Sequence, residues 1–128
     1  MKSFNDLNFP SFEIALQLWQ SGVLRKWKPE DDWEWWWVWD TEDPKMAFSS
    51  GILHYTDIQN IISKMNIQYI PCPSLGEMME RLYKKNCSID KNWEDWHIHN
   101  YSGTVIGKAD TAPNAAAKGL IGGDLSAA

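Results

Sequence analysis

The chain contains only two cysteines in 128 residues, and its longest unbroken apolar run is residues 35–39. A run that short falls far below the roughly 18–20 residues a helix needs to cross a bilayer. The opening stretch, Met-Lys-Ser-Phe-Asn-Asp-Leu-Asn, has none of the apolar segment, about 7–15 residues long, that marks a signal peptide. Basic charge is also scarce. Twelve Lys and Arg stand against 17 Asp and Glu, for a net charge of −5, which argues against a surface built for a polyanion. The expectation is a soluble intracellular protein, and its length suits one domain over residues 1–128.

Catalytic signatures are missing too. No serine lies in a Gly-x-Ser-x-Gly context, and neither cysteine sits in a nucleophile motif. The glycines at 119, 122 and 123 lack the lysine of a phosphate loop and close a helix instead of opening one. Carboxylates gather at Glu30-Asp31-Asp32 and Glu42-Asp43, both turn sequences, with no partner placed to raise a pKa for acid catalysis. His97 and His99 share one strand face and could begin a metal site with His54, Cys72 or Cys87. No second close-spaced ligand pair completes it. The reading is a non-enzymatic protein with no cofactor and no metal. Cys72 and Cys87 flank an expected helix whose ends lie about 18 Å apart, too far for a disulfide, which wants Cα atoms within about 7 Å.

What the sequence does have is tryptophan. Nine Trp accompany four Tyr and four Phe, and five of the nine fall within residues 33–39. Aromatics bury about 150–250 Å² each, so this set either fills a core or paves a surface.

Periodicity places the elements. Residues 11–21 begin after Pro10, end at Gly22 and carry Ile14, Ala15, Leu18 and Trp19 on one face, which predicts a helix. The turn at Lys28-Pro29-Glu30 leads to an aromatic strand at 33–39, and a second strand is expected near 45–50. Ile58, Ile61, Ile62 and Met65 predict a short helix over 57–65, capped by Thr56 or Asp57. Ile70-Pro-Cys-Pro73 forces an extended link, and Ser74 with Glu77 opens a helix with an apolar stripe of Leu75, Met78, Met79 and Leu82. Residues 93–100 and 104–109 read as a hairpin. A last helix over about 112–121 is opened by Pro113 and ended by Gly122 and Gly123.

The two halves, about 10–50 and 73–109, echo each other. Asp32-Trp33-Glu34-x-Trp36-x-Val38-x-Asp40 and Asn92-Trp93-Glu94-x-Trp96-x-Ile98-x-Asn100 share a pattern. The predicted fold is therefore α+β, a mainly antiparallel sheet from two pseudo-repeated helix-plus-hairpin units with helices on at least one face. Side chains alternate along a strand. In the second unit Trp96 and Ile98 would face the core, opposite His97 and His99. By correspondence Trp36 and Val38 face inward, and Trp33, Trp35, Trp37 and Trp39 form a row on the other side. A helix of the same chain, a second subunit or a ligand must cover such a row. The candidate binding residues are those four tryptophans with His97 and His99. The acids around the row disfavour nucleic acid and suit a basic protein surface, a choline-like cation or a sugar.

The order Pro73-Ser-Leu-Gly-Glu-Met78, a Trp-containing hairpin, and then Ala109-Asp-Thr-Ala-Pro-Asn-Ala-Ala-Ala-Lys-Gly-Leu-Ile121 resembles small phage- and prophage-encoded proteins of gut bacteria, some of an α/β/α-sandwich type. The likeness covers residues 68–121. In those proteins the last segment leads into a longer helix rich in Leu and Trp, whereas here Gly119, Gly122 and Gly123 interrupt it. The resemblance brings no catalytic residues. It implies an accessory protein of a mobile element, made in the cytoplasm of a bacterial host, that binds a bacterial protein or sequesters a small host-defence signalling molecule. The alternative is a self-associating module with the Trp row buried in a homo-oligomer interface.

Overall fold

The computed structural model describes residues 3–29, 32–41, 45, 50–62 and 67–126. Serines cap three of the six described helices. The Ser3 hydroxyl accepts from the Asp6 amide and the Asp6 carboxylate accepts from the Ser3 amide, opening α1 (Phe4–Asn8). Ser11 caps α2 (Phe12–Gln20), which buries Ala15 and Leu18, three residues apart on one face. Gly22, at φ +84°, takes the left-handed turn that ends α2 and redirects the chain into α3 (Val23–Trp27). The expected Ser74–Glu77 capping box is present at the start of α5 (Leu75–Lys84), whose Met78, Met79 and Leu82 are buried. A short helix, α4 (Tyr55–Ile62), stands where the isoleucine spacing predicts one, two residues earlier than expected. Met65 lies outside the described residues.

Two three-stranded antiparallel sheets complete an α+β fold. In the first, β1 (Trp35–Trp39) is central, flanked by β2 (Ser50–His54) and β3 (Gln68–Pro71). Most of the strand expected near 45–50 falls outside the described residues, as do Glu30, Asp31, Glu42 and Asp43 of the two turns. In the second sheet β5 (Asp95–His99) is central between β4 (Ser88–Asn92) and β6 (Val105–Ala109). The internal repeat is not confirmed. Both Trp-bearing strands are central, but the third strand of the first sheet follows its hairpin, whereas that of the second precedes it.

One apolar cluster draws on both sheets and on the five helices that follow α1, with Leu18, Leu24, Trp36, Ile58, Met78, Ile98 and Leu120 among its members. The last helix, α6 (Ala112–Ser126), does not stop at Gly122 and Gly123. Those positions let it approach the second sheet. A Cβ on Gly119 would lie 2.8 Å from the Ile98 side chain, and one on Gly122 would lie 2.5 Å from the Ile106 carbonyl oxygen. Packing on the sheet offsets the roughly 1 kcal/mol that each helical glycine costs relative to alanine. The Asn114 side-chain oxygen, which accepts from the Ser11 amide at 2.7 Å, ties the start of α2 to α6.

A Cβ on Gly107 of β6 would meet the Gly119 nitrogen at 2.5 Å and the Ala115 oxygen at 2.6 Å, both backbone atoms. Gly107→Ala should therefore destabilise the fold by about 2–3 kcal/mol, the cost of overpacking against atoms that cannot rotate away. Gly76→Ala, with nothing within 4 Å of the added methyl, should be neutral or stabilising by up to about 1 kcal/mol. Urea denaturation of both variants checks the pair.

Candidate functional site

Strand alternation in β1 follows the expectation, with Trp36 and Val38 on the main core and Trp37 and Trp39 on the opposite face in a second, smaller cluster. That opposite face is not a bare strip. Phe9 packs on Trp35 with ring centroids 5.5 Å apart. Phe12 lies 5.4 Å from Trp37 in a stacked arrangement and 5.1 Å from Trp39. The Trp37 indole N–H donates to the Pro10 carbonyl at 2.9 Å. The Phe9–Pro10 link and α2 thus fold over the row, and Trp39 is buried against Ala15 and Ile70.

Trp33 departs further from its expected place. The strand begins at Trp35, so the alternation does not reach back to 33, and Trp33 turns into the main core at 2% exposure. Its ring meets Trp27 edge-on at 5.1 Å, and the Lys28 ammonium sits 4.3 Å over it. The four tryptophans are structural supports first, because the chain's own aromatic side chains occupy the surface they were expected to offer.

His97 and His99 do lie on the face of β5 opposite Ile98, both half-exposed, with ring centroids 6.1 Å apart. His99 Nε2 is 3.5 Å from Asp90 across the sheet, and Lys108 is 3.5 Å from Asp95. This is a solvated charge network of the kind that contributes little to stability. His54 is on the other sheet, where Nε2 lies 3.1 Å from Glu34 and Nδ1 lies 3.0 Å from the Thr56 hydroxyl. Among the described residues no three His, Cys, Asp or Glu side chains are grouped to hold a metal ion. Cys72 and Cys87 are both buried and free. Burial, with the Glu77 charge beside it, pushes the Cys72 thiol up, and burial raises that of Cys87. Neither offers a thiolate near neutral pH.

A different place combines exposure, concavity and strain. Asn92 pairs with Asp95, so β4 and β5 are joined by just two residues, Trp93 and Glu94. Such a loop demands a positive φ at its first position, where glycine is favoured. Trp93 occupies it at φ +56° and is 92% exposed. It is the one exposed tryptophan of the nine. Beside it opens a cleft of about 460 Å³ lined by Leu7, Leu75, Lys91, Trp93, Glu94, Trp96, Asp110, Thr111 and Ala112. The hairpin supplies one wall, α1 and the first residue of α5 supply apolar side chains, and the start of α6 closes the end. The Lys91 ammonium lies 5.5 Å from the Trp96 ring centroid. Phe4, 74% exposed, is three residues from the 54% exposed Leu7 and shares its helix face, extending the apolar surface.

A second cavity of about 250 Å³, lined by Trp19, Arg25, Lys28, Pro29 and Trp33, is already internally paired. Arg25 sits 4.0 Å over Trp19, and Lys28, besides covering Trp33, reaches Glu77 at 2.9 Å.

The sequence pattern misassigned Trp93. With no glycine or Asn-Gly pair to mark a turn, Trp93 read as the first residue of a strand, equivalent to Trp33. Only the Asn92–Asp95 polar bracket hinted otherwise. No protein-family model, curated protein or solved structure matches the chain. The cleft's own chemistry is therefore the guide to what it does: two indoles, two leucines and a few charges suit reversible recognition of a small, partly apolar group.

Trp93→Gly should raise stability by about 1 kcal/mol, because glycine accepts positive φ without penalty and the exposed ring contributes little burial. Trp37→Ala should lower it by about 2–3 kcal/mol through lost packing on Phe12 and a lost hydrogen bond. Equilibrium unfolding of the two variants reads both signs. A Trp93→Gly protein less stable than wild type would mean that the ring is a structural support.

Proposed function

We propose that the protein is a non-enzymatic binding module that captures a small molecule in the cleft between the Trp93 hairpin, α1 and the start of α6. One observation carries this reading: a tryptophan held in a conformation that favours glycine, its ring bare to solvent at the mouth of a cavity. A fold gains nothing internal from that choice, and backbone strain of this kind costs on the order of 1–3 kcal/mol. The cavity volume, about 460 Å³, falls in the range of small-ligand sites, about 300–1,000 Å³. The bare apolar side chains of Phe4, Leu7 and Trp93 amount to roughly 400 Å², well under the ~800 Å² per partner of a standard protein interface. The likeness of residues 68–121 to small phage and prophage proteins supports an accessory role in a bacterial host, with a host-defence signalling molecule as the kind of ligand sequestered.

The same exposed Phe4, Leu7 and Trp93 favour one competing reading, self-association through this face in place of the Trp33–Trp39 row. Both readings meet in one experiment with the purified full chain, using the neutral dye Nile red and light scattering over a dilution series. The expected outcome is a monomer that binds one dye per chain, with affinity falling at least about tenfold in Trp93→Gly, the scale of a lost aromatic hot spot. Equal dye binding by Trp93→Gly and wild type would refute the small-molecule reading. A dimer that dissociates in Trp93→Gly would establish self-association.

A further inference from the structure

Building on the small-molecule reading of the cleft, we infer that its ligand is an organic ammonium ion, an alkylated amine carried on a small apolar body. The geometry already contains an intramolecular example. Lys91, on the exposed edge strand β4, pairs in register with Trp96 of β5, and its ammonium lies 5.5 Å from the Trp96 ring centroid. That distance is within the reach of cation–π attraction, about 6 Å. Among the described residues this indole is the one partner of the Lys91 ammonium, with no carboxylate at ion-pair distance. The wall of the cleft therefore holds a cation by its ring face alone.

Two further features favour an external ammonium over that internal one. Trp93 adds a second indole to the same cleft, and Glu94 adds a carboxylate beside Lys91. The apolar side chains of the cleft, Leu7 and Leu75, would strip water from an alkylated amine more readily than from a hydrated primary ammonium. Lys91 is solvent-exposed, so its side chain can swing away and regain rotamer freedom when a ligand takes its place. Lys91 is in this account a competitor, and removing its charge improves the site.

The test uses choline, its uncharged isostere in which a tert-butyl group replaces the trimethylammonium, and heteronuclear NMR of the indole N–H groups of the full chain. Choline should shift the Trp93 and Trp96 signals, and the isostere should bind at least roughly tenfold more weakly, as expected when cation–π and carboxylate attraction are lost. Lys91→Met should tighten choline binding by roughly five- to tenfold and leave the isostere nearly unchanged. Glu94→Gln should weaken choline alone. Equal binding of choline and isostere, or weaker choline binding by Lys91→Met, overturns the ammonium assignment. So does the absence of choline binding in both wild type and Lys91→Met. Nile red separates the two levels. If the dye still binds in a Trp93-dependent way, the binding module stands without its ammonium ligand; if it does not, the module itself falls.

Discussion

Where α6 crosses β6 there is no room for a side chain on either element. A Cβ on Gly107 would stand 2.5 Å from the Gly119 backbone nitrogen. That approach is the constraint on which the second half of the molecule depends. It presses Ala115, Ala116 and Leu120 into the main core together with Ile98, and dispersion contacts at such packing density are individually small but collectively large. It also fixes where α6 begins. Thr111, which is buried, accepts at its hydroxyl from the Asn114 amide and stands beside Trp96 at the end of the cleft. The cleft is thus a by-product of a helix brought close to a sheet by glycine.

The tryptophans divide by what surrounds them. In the first sheet β1 carries indoles on both faces, one set on the main core and the other on Phe12 and α2. Cations lie over four of the rings: Arg25 on Trp19, Lys28 on Trp33, Arg81 on Trp27 and Lys91 on Trp96. Amphipathic side chains of this type screen apolar surface while leaving their charge in water. Trp93 is the exception. Among the described residues its ring has neither an aromatic nor a cationic partner, and its backbone sits in a conformation other residues would hold more cheaply.

Much of the fold was legible because it depends on short-range chemistry. Ser74 with Glu77 three residues on is a helix start wherever the chain goes, and Ile98 flanked by two histidines is a half-buried strand in any sheet. The α+β class, α2, α5, β1, β5 and β6 all rest on signals of that range. The misreadings have one character. Gly22 read as a stop, yet it also starts α3. Gly122 and Gly123 read as the end of α6, yet Gly122 lies against Ile106 within it. Trp33 and Trp93 occupy matching positions in the sequence pattern and opposite environments in space, 2% and 92% exposed. A glycine or a tryptophan carries the same local propensity in either setting, and only what lies across the fold decides its role.

The amino-acid sequence by itself determined which segments are helical or extended, which face of each strand is more apolar, and that nine indoles must find cover or purpose. Those properties follow from backbone sterics, capping and the two- and 3.6-residue periods. Tertiary structure alone decided that α2 and Phe9 cover the Trp row, that the last helix continues through its glycines, and that one bare indole stands over a cavity. Each of these is a contact between residues far apart in the chain. No local pattern encodes such a contact, because burial is settled by the surface that another element brings to it.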